Sequence, residues 1–170
     1  TKTGVYMRMA REVTLFESLF KSNKWTWLFG WMFHIGLFLV LIRHIRYFWP
    51  GEIPEIFLLT QPFKYAAFAM VIGLVGLIGR RIFVERVRYI SAPSDYLMLL
   101  MLLIIGVSGV VMTFTTNHTD VVMVKDFASG LTTFNWADMP TEIQWVIHLL
   151  MVIVLIAIFP ISKLLHVPGV

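Results

Sequence analysis

Residues 31–44 read WMFHIGLFLVLIRH, an apolar run that is bracketed by His34 and His44. A second apolar run near the C-terminus carries His148 and is followed by His166. An imidazole in hydrocarbon is costly, so such a histidine is expected to have a functional partner. If the two runs form antiparallel helices, His34 faces His166 near one membrane surface. His44 then faces His148 near the other surface.

The composition of the chain is that of a membrane protein. Of its 170 residues, 58% are hydrophobic and only 14% are charged. Soluble domains are closer to about half apolar and about a quarter charged. The chain has no cysteine, which excludes disulfides, iron–sulfur clusters ligated by this chain and covalently attached c-type haem. Any metal or haem must use histidine, methionine, tyrosine or a carboxylate.

The apolar segments predict an all-α fold. A helix needs about 20 mostly apolar residues to cross the hydrocarbon. Four stretches meet this requirement, at about residues 25–47, 64–83, 96–114 and 143–165. Prolines, glycines and the polar stretch 115–142 separate them. We therefore expect a transmembrane four-helix bundle in a single membrane domain, residues 25–170.

Residues 1–24 are expected to be a cytoplasmic or interfacial lead-in to the first span. Apolar side chains recur there at Met9, Val13, Phe16 and Phe20, with the spacing of one helix face. This pattern is compatible with a helix in the membrane interface and equally with a plain cytoplasmic lead-in.

The basic residues predict the orientation. Ten Lys and Arg residues fall on the side that holds the N-terminus, the loop at 80–95 and the C-terminus, against four on the other side. Lys and Arg accumulate in cytoplasmic loops. We therefore expect a multi-pass protein of a prokaryotic inner membrane, with both ends of this chain in the cytoplasm and lipid as its surroundings.

The histidine spacings indicate two b-type haems, one above the other. Neutral imidazole is a good iron ligand, and haem sites are commonly built between facing helices. His34 and His44 lie about 15 Å apart along a helix, and His148 and His166 about 27 Å apart. Helix tilt or a kink at Pro160 would have to absorb the difference. A protein built in this way moves electrons between the two sides of a membrane.

Two other classes of function are open on the residues alone. In a non-haem membrane anchor the histidines would be structural, and in a transporter or proton channel they would form a relay. A relay is expected to include carboxylates at mid-depth, and the four predicted spans contain none. The fifth histidine, His118, falls in the acidic outer stretch and is expected at the surface. Nothing in the composition indicates a nucleic-acid partner.

The cations on the outer side are candidate cofactor contacts. Arg43 and Arg46 lie near His44 in the sequence and could bind haem propionates. They could equally reach out to lipid phosphates. On the other side, Lys163 could serve the haem of His34 and His166 or anchor its helix.

Two motifs resemble the gamma subunit of respiratory nitrate reductase. One is His34-Ile35-Gly36 with a second histidine ten residues after the first, and the other is PISKLLH at residues 160–166. The resemblance covers most of the chain. It implies that His34 and His166 bind the cytoplasmic-side haem, and that His44 and His148 bind the outer one. It also implies a further N-terminal helix in the family that this sequence lacks.

The resemblance also implies a substrate and a partner. Lys64 matches the position of a quinol-site lysine, whereas Arg43 stands where the relatives have glycine. The lead-in LFESLFKSNKWTW, residues 15–27, is similar to the variant in sulfite-reduction-linked complexes, where the cytochrome b serves a cytoplasmic iron–sulfur protein of the heterodisulfide-reductase type. The expected function is thus a dihaem subunit that oxidises quinol, menaquinol in particular, within a complex that can include other membrane and periplasmic cytochrome subunits.

Overall fold

The computed structural model describes residues 2–49, 51–52, 54–115 and 119–161. Within these ranges the chain folds into helices and contains no strand. In chain order they are α1 (Lys2–Leu15), α2 (Glu17–Ser22), α3 (Lys24–Phe48), the 3-10 segment η1 (Glu55–Tyr65), α4 (Ala66–Phe83), α5 (Glu85–Ile90), α6 (Pro93–Phe114), α7 (Val121–Thr133), α8 (Ile143–Ile158) and the 3-10 turn η2 (Phe159–Ile161).

Three of the predicted membrane spans form helices that are long and apolar enough to cross a membrane. They are α3 with 25 residues, η1 and α4 together with 29, and α6 with 22. The fourth predicted span, residues 143–165, is helical over the 16 residues of α8, which is shorter than the other three. Regular α-helix stops before Pro160, and residues 162–165 lie outside the described part of the chain. The all-helical fold is therefore confirmed, and the four-helix bundle stays a prediction.

Local capping explains where two of the spans begin. The Asn23 side chain accepts the Thr26 backbone N–H at 2.9 Å and caps α3. The sequence predicted that the third span begins near residue 96, yet α6 begins at Pro93. Proline suits the first turn of a helix because its missing N–H would have no partner there. The Asp95 carboxylate adds a contact by accepting the Ala92 N–H at 3.0 Å.

Helices α3 and α4 pack backbone against backbone at two glycines. A Cβ on Gly36 of α3 would lie 2.7 Å from the Met70 backbone nitrogen. A Cβ on Gly73 of α4 would lie 2.7 Å from the Phe33 backbone nitrogen. Small residues allow membrane helices to approach in this way. Helix α4 packs in turn on α6, and α6 packs on α8.

The buried core is small, and most large apolar side chains are exposed. Phe33, Met70, Leu74 and Leu102 form the buried cluster, with Leu155 of α8 packed against it. Side chains that point away from it remain open to the surroundings, such as Phe38 and Ile156. This distribution is expected of helices whose outer faces contact lipid.

Two segments differ from the sequence-based expectation. The lead-in forms two helices, because Phe16 adopts a left-handed conformation (φ 48°) between α1 and α2. The stretch 115–142, predicted as a polar loop, contains the helix α7, which packs against α3. The Asp120 side chain caps α7 by accepting the Val122 N–H at 2.8 Å. Apolar residues recur at helical spacing in this segment, but its overall polar composition is more typical of a loop.

Candidate functional site

His44 of α3 and His148 of α8 face each other in the structure. Their ring centroids are 6.3 Å apart and their planes differ by 11°. The two residues lie 104 positions apart in the sequence, so tertiary packing alone brings them together. This pairing is the one that the sequence predicts for the outer side of the membrane.

In both histidines the same ring nitrogen, Nδ1, takes part in a hydrogen bond that orients the ring. Nδ1 of His44 lies 2.7 Å from the carbonyl oxygen of Val40. A carbonyl only accepts, so Nδ1 carries the proton and Nε2 carries the lone pair. Nδ1 of His148 lies 2.9 Å from Oγ of Ser108. Metal-binding histidines usually have their other ring nitrogen held in this manner.

The spacing of the two rings fits a haem between them. A metal–imidazole bond of about 2 Å, with a ring radius of about 1 Å, puts the centroids of two opposed axial imidazoles about 6 Å apart. Among the described residues, α8 packs along α6 and scarcely approaches the backbone of α3. The described residues also contain no group of three or more His, Cys, Asp or Glu side chains that could hold a metal ion. A haem iron needs only two axial ligands from the protein.

His34 has the same local geometry as His44. Its Nδ1 lies 2.7 Å from the carbonyl oxygen of Gly30, four residues earlier. The ring of Phe16 lies beside it with centroids 5.1 Å apart. Its predicted partner, His166, lies outside the described residues, as do Lys163 and the predicted surface residue His118. The pairing of His34 with His166 therefore stays a prediction.

Two buried hydrogen-bond donors on α3 also bear on whether a haem would fit beside the histidines. The Nε atom of Arg46 and the Nε1 atom of Trp31 have no hydrogen-bond partner among the described residues. Arg46 lies two residues beyond His44, and Trp31 lies three residues before His34, toward the opposite end of the helix. Each donor could therefore meet an anionic group on the membrane-surface side of its histidine, as a haem propionate requires.

Arg43 and Arg46 have different surroundings. Nη1 of Arg43 donates to the carbonyl of Thr60 at 3.2 Å and to Oε1 of Gln61 at 3.3 Å. These bonds tie α3 to η1. Nη2 of Arg46 donates to the Tyr47 hydroxyl at 2.6 Å, and its guanidinium lies over the Tyr47 ring. Arg46 thus has an N–H left for a cofactor, whereas the described contacts of Arg43 are structural.

Lys64 lies at the junction of η1, α4 and the end of α6. Its ammonium is 5.1 Å from the centroid of the Tyr65 ring and 5.9 Å from that of Phe114. Two aromatic rings thus lie beside this half-buried cation. This environment is compatible with a quinol-site lysine and equally with a lysine that extends to the membrane surface.

Two residues beside the histidines were missed by reasoning from the sequence. Ser108 contacts His148, and the signal for it in the sequence is a polar residue within a mostly apolar span. Phe16 has a left-handed backbone, and its ring contacts that of His34. No pattern in the sequence predicts that conformation for a phenylalanine, since it is unfavourable for residues with a side chain.

Comparison with known proteins identifies relatives over nearly the whole chain. The family model described as nitrate reductase gamma subunit matches residues 6–170. The "Hdr-like menaquinol oxidoreductase cytochrome b-like subunit" of Archaeoglobus fulgidus is 36% identical over 190 residues, covering 96% of this chain and 57% of the relative. The protein of the same description from Archaeoglobus profundus is 30% identical over 199 residues, covering 100% of this chain and 59% of the relative.

This chain therefore spans less than two thirds of the length of these relatives. No solved structure matches it. The family match nevertheless includes the three candidate spans and all four candidate ligand histidines. The sequence motifs, the helical membrane fold and the matched family agree, and the chain belongs to the nitrate reductase gamma subunit family.

Proposed function

We propose that this chain is the dihaem cytochrome b subunit of a membrane quinol oxidoreductase. In this proposal it forms a four-helix bundle, oxidises menaquinol near the outer haem and delivers electrons to a cytoplasmic iron–sulfur partner of the heterodisulfide-reductase type. The names of the two Archaeoglobus relatives support the substrate and the type of complex. The excess of basic residues at the N-terminal side supports the orientation.

The single observation that carries the proposal is the pair of imidazoles contributed by His44 and His148. The two rings are 6.3 Å apart and each has its Nδ1 held by a hydrogen bond, so their Nε2 atoms would be available to hold a haem iron. A bound haem would supply reversible one-electron chemistry at its iron. The protein would hold and orient it, with Arg46 donating to a propionate. His34, with the predicted partner His166, would provide the second site in the same way.

The quinol site is proposed near Lys64 and the outer pair of histidines. Quinol oxidation releases protons, and a site near the outer surface would release them outward. Hydrogen bonds from Arg43 of α3 hold η1, the segment that carries Lys64, against α3. Arg43 therefore places a charged side chain beside the proposed quinol site.

A spectrum distinguishes this proposal from a non-haem anchor and from a histidine relay. Protein purified from haem-replete cells should show a b-type reduced-minus-oxidised spectrum and about two haems per chain, in keeping with two bis-histidine sites. His44→Ala and His148→Ala should remove the same haem, and His34→Ala should remove the other. His118→Ala is the matched control and should keep both. A colourless wild-type preparation would refute the proposal.

A further inference from the structure

The described structure gives His148 an orientation partner unlike those of the other two described ligand candidates. His34 and His44 donate to carbonyls of their own helix, those of Gly30 and Val40. His148 instead meets α6, through the Ser108 side chain and the Ile105 backbone carbonyl. A backbone carbonyl cannot be removed by mutation, but a serine hydroxyl can. His148 therefore has one orienting contact that a substitution can remove, and the described contacts of His34 and His44 to carbonyls do not offer this.

The direction of this hydrogen bond follows from the second contact of Ser108. The buried Ser108 hydroxyl lies 3.0 Å from the carbonyl oxygen of Ile105, which can only accept. The single hydroxyl proton is used in that bond, so the Ser108 oxygen is left to accept from Nδ1–H of His148. The chain of bonds runs from His148 through Ser108 to Ile105. It selects the tautomer in which Nε2 of His148 is unprotonated.

The neighbouring residue on α6 also lies near the ring. A Cβ built on Gly109 would lie 3.5 Å from Cε1 of His148, an ordinary van der Waals distance. The imidazole edge therefore leaves room for no more than a small side chain at Gly109. The described contact that orients the ring through a side chain of α6 is the one with Ser108.

We propose that Ser108 is a positioning residue that sets the ligand strength of His148 and, with it, the reduction potential of the outer haem; this rests on the function proposed above. An imidazole whose N–H is hydrogen-bonded is a stronger donor to a metal. A stronger axial donor favours ferric over ferrous iron. Loss of the Ser108 oxygen should therefore raise the potential of the outer haem and leave the inner haem unchanged.

The test compares three variants of the intact protein with the wild type. Ser108→Ala removes the acceptor, Ser108→Thr retains it, and Thr113→Ala removes a hydroxyl from the same helix that donates to the Gly109 carbonyl. Potentiometric titration and ferric electron paramagnetic resonance report on each haem separately. For Ser108→Ala we expect about a tenfold change in the ferric-to-ferrous ratio at fixed potential, or about 59 mV for one electron. Ser108→Thr and Thr113→Ala should match the wild type.

The outcomes separate the inference from the proposed function. Unchanged outer-haem potential and resonance in Ser108→Ala, with both haems present, would overturn the role of Ser108 and leave the cytochrome assignment intact. A wild-type protein without haem would overturn the assignment itself. If Ser108→Ala does not accumulate, Ser108→Cys keeps the volume with a weak acceptor. The same upward shift is expected there, and a wild-type potential would contradict the inference.

Discussion

Single donors and acceptors beside the histidines decide what the site can hold. Nδ1 of His44 and Nδ1 of His148 are both occupied by hydrogen bonds, which leaves the Nε2 atoms for a metal. The Nε atom of Arg46 is buried without a partner among the described residues. A buried unpaired donor costs about 1–3 kcal/mol, so such an atom calls for a ligand. Arg46 is therefore the residue whose charge should most directly affect the reduction potential of a bound haem.

Replacing Arg46 should lower the reduction potential of the outer haem. A nearby cation stabilises the ferrous form, because reduction adds one negative charge to the site. We expect Arg46→Gln to shift the outer-haem potential downward and Arg46→Lys to restore part of it. Redox titration of both haems measures the effect. Arg80→Gln is the matched control, because Arg80 lies at the opposite end of the spans and donates to Asn23. An equal outer-haem shift in that control would argue against a local role for Arg46.

At the scale of the elements, α3 is the centre of the structure. It contributes two candidate ligands and packs on α4 through glycines, on η1 through Arg43 and on α7. The break between α1 and α2 also bears on a candidate ligand of α3, because the Phe16 ring at the break lies beside His34. Hydrogen bonds from the Ser18 backbone and hydroxyl to the Glu12 carboxylate hold this break, as does the bond from Trp27 Nε1 to the Leu15 carbonyl at 2.6 Å.

A methyl group at Gly36 should separate α3 from α4, whereas one at Gly30 should not. The added Cβ at Gly36 would lie 2.7 Å from a backbone nitrogen of α4 and 2.8 Å from a carbonyl oxygen. Overpacking of this kind costs about 1–3 kcal/mol. We expect Gly36→Ala to lower the thermal stability of the purified protein in detergent.

Gly30→Ala is the matched control for Gly36→Ala. Gly30 is buried on the same helix, yet its Cβ would meet nothing within 4 Å. Alanine also has the higher helix propensity, by about 1 kcal/mol. The Gly30 variant should therefore be as stable as the wild type or more stable. Equal losses in both variants would contradict the close contact between α3 and α4.

At the scale of the whole molecule, the charge distribution and the helix order define two sides. The basic segment α5 and the lead-in lie at one end of the spans, and α7 lies at the other. Helix α7 contacts α3, its Phe127 packs edge-on against Trp145, and Lys125 donates to the Gly51 carbonyl. These contacts lie at the end of the spans that holds His44 and His148, which is the end predicted to face outward. The opposite end, predicted to be cytoplasmic, has exposed basic and aromatic side chains, including Arg86 and Tyr89.

Cysteine labelling tests this orientation, and the chain has no native cysteine to interfere. Tyr89 of α5 is 92% exposed, and Thr132 of α7 is exposed as well. In intact cells, an impermeant maleimide should label Thr132→Cys and should label Tyr89→Cys only after the membrane is opened. The unsubstituted chain is the control for background. The reverse pattern would contradict the positive-inside assignment.

The sequence by itself determined the helical fold, the three helices that are apolar and long enough to cross a membrane, and the candidate histidines. These properties are local, because the hydrocarbon imposes a length and an apolar composition on each helix separately. It does not predict Pro93 as a helix start or α7 as a helix, since a proline and a polar composition are each more typical of a loop. Only the tertiary structure decided that the His44 and His148 rings face each other, that Ser108 orients one of them and that Phe16 reaches His34. Helix rotation and packing set those contacts, and they depend on residues that are distant in the chain.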